Sequence, residues 1–310
     1  MEQQLSSHLN ISIGSLQLKN PVMVASGTFG YGFEYQDVVA LEKLGAVITK
    51  SITREPRLGT TPPRIVETAA GMLNAIGLAN IGLDRFIDEM IPRYETYPTK
   101  IIVNIAGSTP DEYLEILEAL SSYPQLAAFE MNFSCPNVKE GGICFGVDPR
   151  LSYNLTRQLR EVTRKPLIIK LTPNVTSPVE VALAVEEAGA DAISMINTLV
   201  GMAIDVRTWR PKLGNVTGGL SGPAIKPIAL AQIWQVYQEI TIPIIGMGGI
   251  ASVSDAIEFF LAGATAIQIG TATFVHPATA QEVVEGLSRY LIEQHLSSIN
   301  ELIGGLKVNE

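Results

Sequence analysis

Short apolar runs recur along the chain, with amphipathic stretches between them. Eight stand out, at residues 22–26, 47–50, 101–105, 128–132, 167–171, 192–196, 242–246 and 266–269. They are apolar throughout instead of alternating, the pattern of parallel strands covered on both faces, and helical segments such as 111–121 and 178–188 separate most of them. Three joins share one pattern: LGAVITK from Leu44, AGADAISMIN from Ala188 and AGATAIQIG from Ala262. In each the glycine suits a left-handed helix end, and a buried strand follows at once. Eight such units predict an α/β fold, a closed (β/α)8 TIM barrel occupying residues 1–310 as one domain.

Two intervals exceed a simple crossover: TREPRLGTTPPRIVETAAGMLNAIGLAN after the second strand, and GMAIDVRTWRPKLGNVTGGLSGP after the sixth. Together with the segment after the fourth strand they give three long loops at strand C-termini, the barrel face that carries chemistry. The N-terminal ISIGSLQL reads as a hairpin turning at Gly14–Ser15 and plugging the opposite end.

Composition narrows the function. With 22 Lys+Arg against 31 Asp+Glu the formal net charge is −9, and the pI of about 5.0 disfavours nucleic-acid or anionic-membrane partners. Hydrophobic residues make up 46% and charged residues 17%, enough apolar surface for a large core. No apolar run approaches the ~18 residues of a membrane span, and the opening MEQQLSSHLNISIG has no leader-like character. The expectation is a cytoplasmic protein. The two cysteines, Cys135 and Cys144, match neither a zinc-ribbon nor an iron–sulfur spacing, and His8, His276 and His295 are scattered, so no metal site is expected.

The strand ends carry the candidate chemistry. GMGGI (246–250) after the seventh strand and IGTATF (269–274) after the eighth allow backbone N–H groups to approach a phosphate; as isolated motifs they are also ordinary tight turns. Ser26, Lys50, Asn104, Asn132, Lys170 and Asn197 all close apolar runs at the same face, a set that suits a flat, heteroatom-rich ring better than a metal. Lys170 is either a snorkelling lysine or a cation beside a redox ring. Lys50, at the end of VITK, could meet a substrate carboxylate. Cys135, in MNFSCPNVKEGG, is either a small hydrophobe or a thiol able to act as a base over the mouth; Cys144 has no comparable setting.

Taken in order, NAIGLAN (74–80), MNFSCPN (131–137), IKLTPN (169–174), INT (196–198), GGLSGPAIKP (218–227), GMGGI and IGTA closely resemble the dihydroorotate dehydrogenase family. The resemblance spans about residues 22–274. It implies oxidation of (S)-dihydroorotate to orotate in pyrimidine biosynthesis, with FMN at the barrel mouth, Cys135 as the base at C5, and hydride transfer from C6 to the flavin. It assigns FMN to Ser26, Lys50, Ser51, Asn104, Asn132, Lys170, Ile196, Gly222, Gly248, Gly249, Gly270 and Thr271. Substrate falls to Lys50, Asn74, Ala75, Ile76, Gly77, Leu78, Asn132, Asn137, Asn197 and Thr198.

A cysteine in place of the serine of quinone-linked relatives, and the absence of their N-terminal extension, point to a soluble form. NAIGLAN, CPNVKEGG and GNVTGGLSGPAIKP resemble the NAD-linked type B catalytic subunit. That likeness implies a homodimer joined by two copies of a partner flavoprotein carrying FAD and a [2Fe–2S] cluster, which this chain has no motif to bind. A fumarate-linked type A enzyme, a tRNA dihydrouridine synthase and a non-catalytic phosphate-binding barrel are the competing readings; the net charge of −9 sits poorly with gripping tRNA.

Overall fold

The computed structural model describes residues 8–133 and 145–308. Eight parallel strands close into a barrel: β3 (Val22–Val24), β4 (Ala46–Ile48), β7 (Lys100–Ile105), β8 (Leu126–Asn132), β9 (Leu167–Lys170), β10 (Ala192–Met195), β15 (Ile244–Met247) and β16 (Ala266–Ile269), in the order β10-β15-β16-β3-β4-β7-β8-β9. All eight apolar runs are therefore barrel strands, and their side chains are buried almost without exception. The seventh starts two residues later than its apolar run. Pro243 has no N–H to give to a ladder, and pairing begins at Ile244.

Helices cover the outside, and their starts are written locally. Thr109 caps Pro110–Ser121 by accepting from Glu112 N, Asp148 caps Pro149–Val162 by accepting from Arg150 N and Leu151 N, and Ser252 caps Val253–Leu261 by accepting from Asp255 N. The first two, and Pro178–Glu187, also begin with proline, where a missing N–H costs nothing. Gly189 and Gly263 adopt φ +96 and +114 at the expected helix-to-strand joins. At the first join the expectation fails. Gly45 is not left-handed and follows only a 3-10 turn, Leu41–Lys43; it is glycine because an added Cβ would lie 2.2 Å from Asn20 O.

The N-terminal hairpin is present. β1 (Ile11–Ile13) pairs antiparallel with β2 (Leu16–Leu18), turning through Gly14 at φ +56. Ile11, Ile13, Leu16 and Leu18 are buried while Ser12 and Gln17 face out, and Gly14 touches Asp191 just before β10. The hairpin thus closes the end of the barrel where strands begin.

The long excursions at the opposite end build a second sheet. β5 (Ile65–Thr68) and β6 (Gly71–Asn74), from the interval after β4, join β11 (Leu199–Gly201) and β14 (Gly218–Ser221), from the interval after β10, in the antiparallel order β11-β14-β6-β5. A small ribbon, β12 (Ile204–Asp205) with β13 (Arg210–Pro211), projects from the same interval. The expectation of long loops there is thus refined: much of their backbone is paired. The third long loop, after β8, lies largely in 134–144, outside the described residues.

Candidate active site at the barrel mouth

Inward-facing positions of β8 alternate, so Glu130 and Asn132 point into the same space, with Lys170 of β9 and Asn104 of β7 beside them. Among the described residues, Glu130 and Lys170 are the only charged residues that are buried, Glu130 completely. Asn104 Nδ2 donates to Glu130 Oε1 at 2.6 Å, and Gln268 Nε2 of β16 donates to Glu130 Oε2 at 2.6 Å. Lys170 Nζ stands 3.7 Å from Glu130 Oε1. Ser51 Oγ donates to Asn104 Oδ1 at 2.6 Å. At 5% exposure Lys170 is held inside the barrel, and the snorkelling alternative falls away.

From Asn132 the arrangement continues outward. Asn197 Nδ2 donates to Asn132 Oδ1 at 3.4 Å, and Thr198 N donates to Asn197 Oδ1 at 2.7 Å. Thr198 packs so closely on Gly219 that an added Cβ would meet its Oγ1 at 2.1 Å. Asn74 Nδ2 donates to Gly219 O at 3.1 Å. The sheet over the mouth thereby brings Asn74, Asn197 and Thr198 to one place, although Asn74 and Thr198 come from different excursions.

The glycines form a cradle. Gly248 and Gly249 sit at φ +128 and +79, in backbone that other residues rarely adopt. A Cβ on Gly249 would lie 2.8 Å from Gly222 O, and one on Gly248 would lie 3.3 Å from Ile196 Cγ1. Gly222, at φ +94, approaches Thr271, whose Oγ1 donates to Ser221 Oγ at 2.8 Å. At Gly270 a Cβ would sit in ordinary contact with Ala25 Cβ at 3.5 Å and Thr28 Cγ2 at 3.8 Å, so this glycine is not demanded by close packing. Lys226, next to this cradle, has its ammonium spent on Asp255 (2.6 Å) and Glu258 (2.8 Å), and hydrogen bonds to those carboxylates raise its pKa above the ordinary lysine value.

Lys50 lies two residues beyond β4, half-buried, with its backbone N–H donated to Gly30 O. Burial pushes its ammonium below the ordinary value; Glu34 opposes that shift and Arg64 adds to it. Arg64 in turn ties down the neighbouring segment: Ala75 N donates to Arg64 O and Arg64 Nε to Thr60 O, while Thr60 N donates to Ile76 O. Gly77 (φ +70) and Leu78 (φ +54) then turn the chain. Ser26 lies two residues beyond β3 at the same face, half-buried. Cys135, Asn137 and Cys144 fall outside the described residues.

Sequence reasoning missed Glu130, Gln268 and Asn80. Asn80 accepts from Thr53 N and Gly82 N and donates to Thr53 Oγ1 and Leu78 O, pinning the Gly77–Leu78 turn from behind. For Glu130 a signal existed: a carboxylate in the apolar run AAFEMN, two positions before Asn132, shares its inward face.

The donor set fits a flavin mononucleotide. Amides, an ammonium and hydroxyls line the barrel interior, the half-buried Gly248–Gly249 turn keeps a backbone that glycine alone adopts readily, and two buried oxygens, Gln268 Oε1 and Ser194 Oγ, have no hydrogen-bond partner. No group of three or more His, Cys, Asp or Glu able to hold a metal occurs among the described residues.

Similarity to known proteins agrees with this geometry. The family model of dihydroorotate dehydrogenase matches residues 8–291. A protein of Trichlorobacter lovleyi, 56% identical over 299 residues (96% of this chain and 98% of the relative), is named dihydroorotate dehydrogenase B (NAD(+)), catalytic subunit. Proteins of Geotalea uraniireducens (55% identical, 96% and 98% covered) and Geobacter sulfurreducens (53% identical, 97% and 98% covered) carry the same name. Strand ends, glycine cradle and matched sequence coincide over the whole barrel, and the chain belongs to the dihydroorotate dehydrogenase family, alongside its NAD-linked B-type catalytic subunits.

Proposed function

We propose that this chain oxidises (S)-dihydroorotate to orotate in the synthesis of UMP, as one FMN-binding barrel over residues 1–310. The observation that carries the reading is the meeting, at one barrel mouth, of Asn104, Asn132, Lys170 and Asn197 with the half-buried, positive-φ turn at Gly248 and Gly249. Ser26, Lys50, Ser51, Asn104, Asn132, Lys170, Ile196, Gly222, Gly248, Gly249, Gly270 and Thr271 would hold FMN, the phosphate lying against the glycine turns. Bound there, FMN supplies a hydride acceptor.

The remaining chemistry belongs to side chains of this chain. Asn74, Asn132, Asn137, Asn197 and Thr198 offer paired donors and acceptors to a pyrimidine ring, and the Ala75–Ile76–Gly77–Leu78 segment, its Ala75 N–H tied to Arg64 O, offers the N–H groups of Ile76, Gly77 and Leu78 beside them. Lys50 presents a cation to the carboxylate, and its partial burial strengthens that attraction. Cys135 removes the C5 proton, a task for which a thiolate near neutral pH suits far better than a hydroxyl.

A partner subunit fits the phrase "catalytic subunit" in the relatives' names. In this reading electrons leave through a flavoprotein carrying FAD and a [2Fe–2S] cluster to NAD+, two copies of it attached to a homodimer of this chain, in the cytoplasm. No helix among the described residues is long and apolar enough to cross a membrane. The NAD-linked names favour this arrangement over a fumarate-linked one.

The purified chain should carry one FMN, bleached anaerobically by dihydroorotate. Cys135→Ser should retain FMN and slow that bleaching by about two to four orders of magnitude. A folded parent without flavin, or a serine variant bleaching at the parent rate, would refute the reading.

A further inference from the structure

The buried carboxylate of Glu130 lies outside the roles assigned above, and its surroundings are built for it. It is fully buried, yet both oxygens are engaged: Oε1 accepts from Asn104 Nδ2 and Oε2 from Gln268 Nε2, each at 2.6 Å, with Lys170 Nζ 3.7 Å from Oε1. β8 and β16 stand on opposite sides of the closed barrel, four strands apart whichever way one counts, so the Glu130–Gln268 bond spans the interior. An isolated carboxylate in such a place would carry a heavy desolvation cost, and so would the ammonium of Lys170; each makes the other tolerable. A carboxylate can only accept, so it also decides how two amides face. Asn104 must turn its Nδ2 inward, which leaves Oδ1 for the Ser51 hydroxyl, and Gln268 must leave Oε1 without a partner.

We propose that Glu130 is a positioning residue of the cofactor site: its carboxylate fixes the amide orientation of Asn104 and Gln268 and anchors the Lys170 ammonium beneath the barrel mouth. The inference rests on the reading that FMN binds there. Asn104 and Lys170 then present a single donor pattern to the ring. The negative charge of Glu130 offsets part of the pull that Lys170 exerts toward the reduced, anionic ring.

The test uses two variants of the full chain, with FMN affinity and reduction potential as readouts. Glu130→Gln keeps the volume but carries one acceptor oxygen and one NH2 group, so it cannot accept from both amides. It should weaken binding of oxidised FMN at least tenfold. With the charge gone, it should also shift the affinity ratio toward the reduced form by about tenfold, a rise of ~30 mV for two electrons. Glu130→Asp keeps the charge and shortens the reach; it should weaken FMN binding and leave the potential at the parent value. A general loosening of the barrel would not separate the two readouts in this way. A folded Glu130→Gln protein with parental affinity and potential overturns the proposal. If that variant does not fold, Glu130→Asp decides, and parental FMN affinity there overturns it equally. A folded parent that binds no FMN would instead refute the cofactor reading, and this proposal with it.

Discussion

Replacing Asn80 by alanine tests whether the turn over the mouth is built from behind, as the hydrogen bonds indicate. Four bonds vanish: those from Thr53 N (3.3 Å) and Gly82 N (2.8 Å) to Oδ1, and those from Nδ2 to Thr53 Oγ1 (2.7 Å) and Leu78 O (2.8 Å). A net hydrogen bond contributes about 0.5–1.5 kcal/mol. Asn80 is half-buried and water can replace part of each, so the low end applies, about 2 kcal/mol in all. For a chain of this length that is a fall in Tm of roughly 3 °C. Leu78 is held at φ +54, a conformation a leucine does not keep unaided. In the proposed site the Gly77–Leu78 backbone meets substrate, which without Asn80 must order it, and the KM for dihydroorotate should rise about tenfold, equivalent to ~1.4 kcal/mol. FMN affinity should not change. Asn80→Asp keeps both acceptor bonds and loses both donor bonds, so it should fall about midway. Thermal unfolding of the FMN-saturated protein, with dye-linked steady-state kinetics, reads both quantities. An Asn80→Ala protein with parental Tm and parental KM would refute the reasoning.

Other expectations follow from the same geometry. Lys170→Ala should lower the flavin reduction potential in a spectrophotometric dye titration, because the proposed site places this buried cation beside the ring; an unchanged potential with FMN bound would place Lys170 away from the ring. Gly249→Ala should cost about 1–2 kcal/mol for handedness and more for the clash at 2.8 Å with Gly222 O, and should weaken FMN binding in fluorescence titration. Gly27→Ala, at φ +88 with nothing within 4 Å, should pay only the first cost in denaturant unfolding. Lys50 has its folded-state pKa lowered chiefly by burial, so between that value and its ordinary 10.5 the unfolded chain binds more protons. Stability should therefore rise with pH across that window, and Lys50→Met should flatten this part of the unfolding profile while weakening dihydroorotate binding.

The barrel was legible because its strands are buried on both faces. A parallel strand under helices has no reason to alternate, and runs such as LIIK (Leu167–Lys170) and AISM (Ala192–Met195) announce themselves by being apolar and short. The sheet over the mouth was not legible. β14 is GGLS, half-buried at every position, and β11 is LVG with its central valine exposed, so neither composition nor alternation marks a strand. These segments pair because the close packing of Gly219 on Thr198 and of Gly71 on Ser221 O leaves no room for side chains, a condition visible only when both excursions are present.

The site divides along the same line. Asn104, Asn132, Lys170 and Asn197 each end an apolar run, so a polar residue at a strand C-terminus is a local signal that needs no knowledge of neighbours. Glu130 is different. Its carboxylate is tolerable only because Asn104, Lys170 and Gln268 arrive from β7, β9 and β16, and the last of these stands 138 positions away in sequence. Alternation along β8 could place Glu130 inside the barrel, but only closure of the barrel brings Gln268 across to meet it. Polar residues at strand ends can be read one strand at a time, whereas a buried carboxylate shared between strands is defined by which strands face each other.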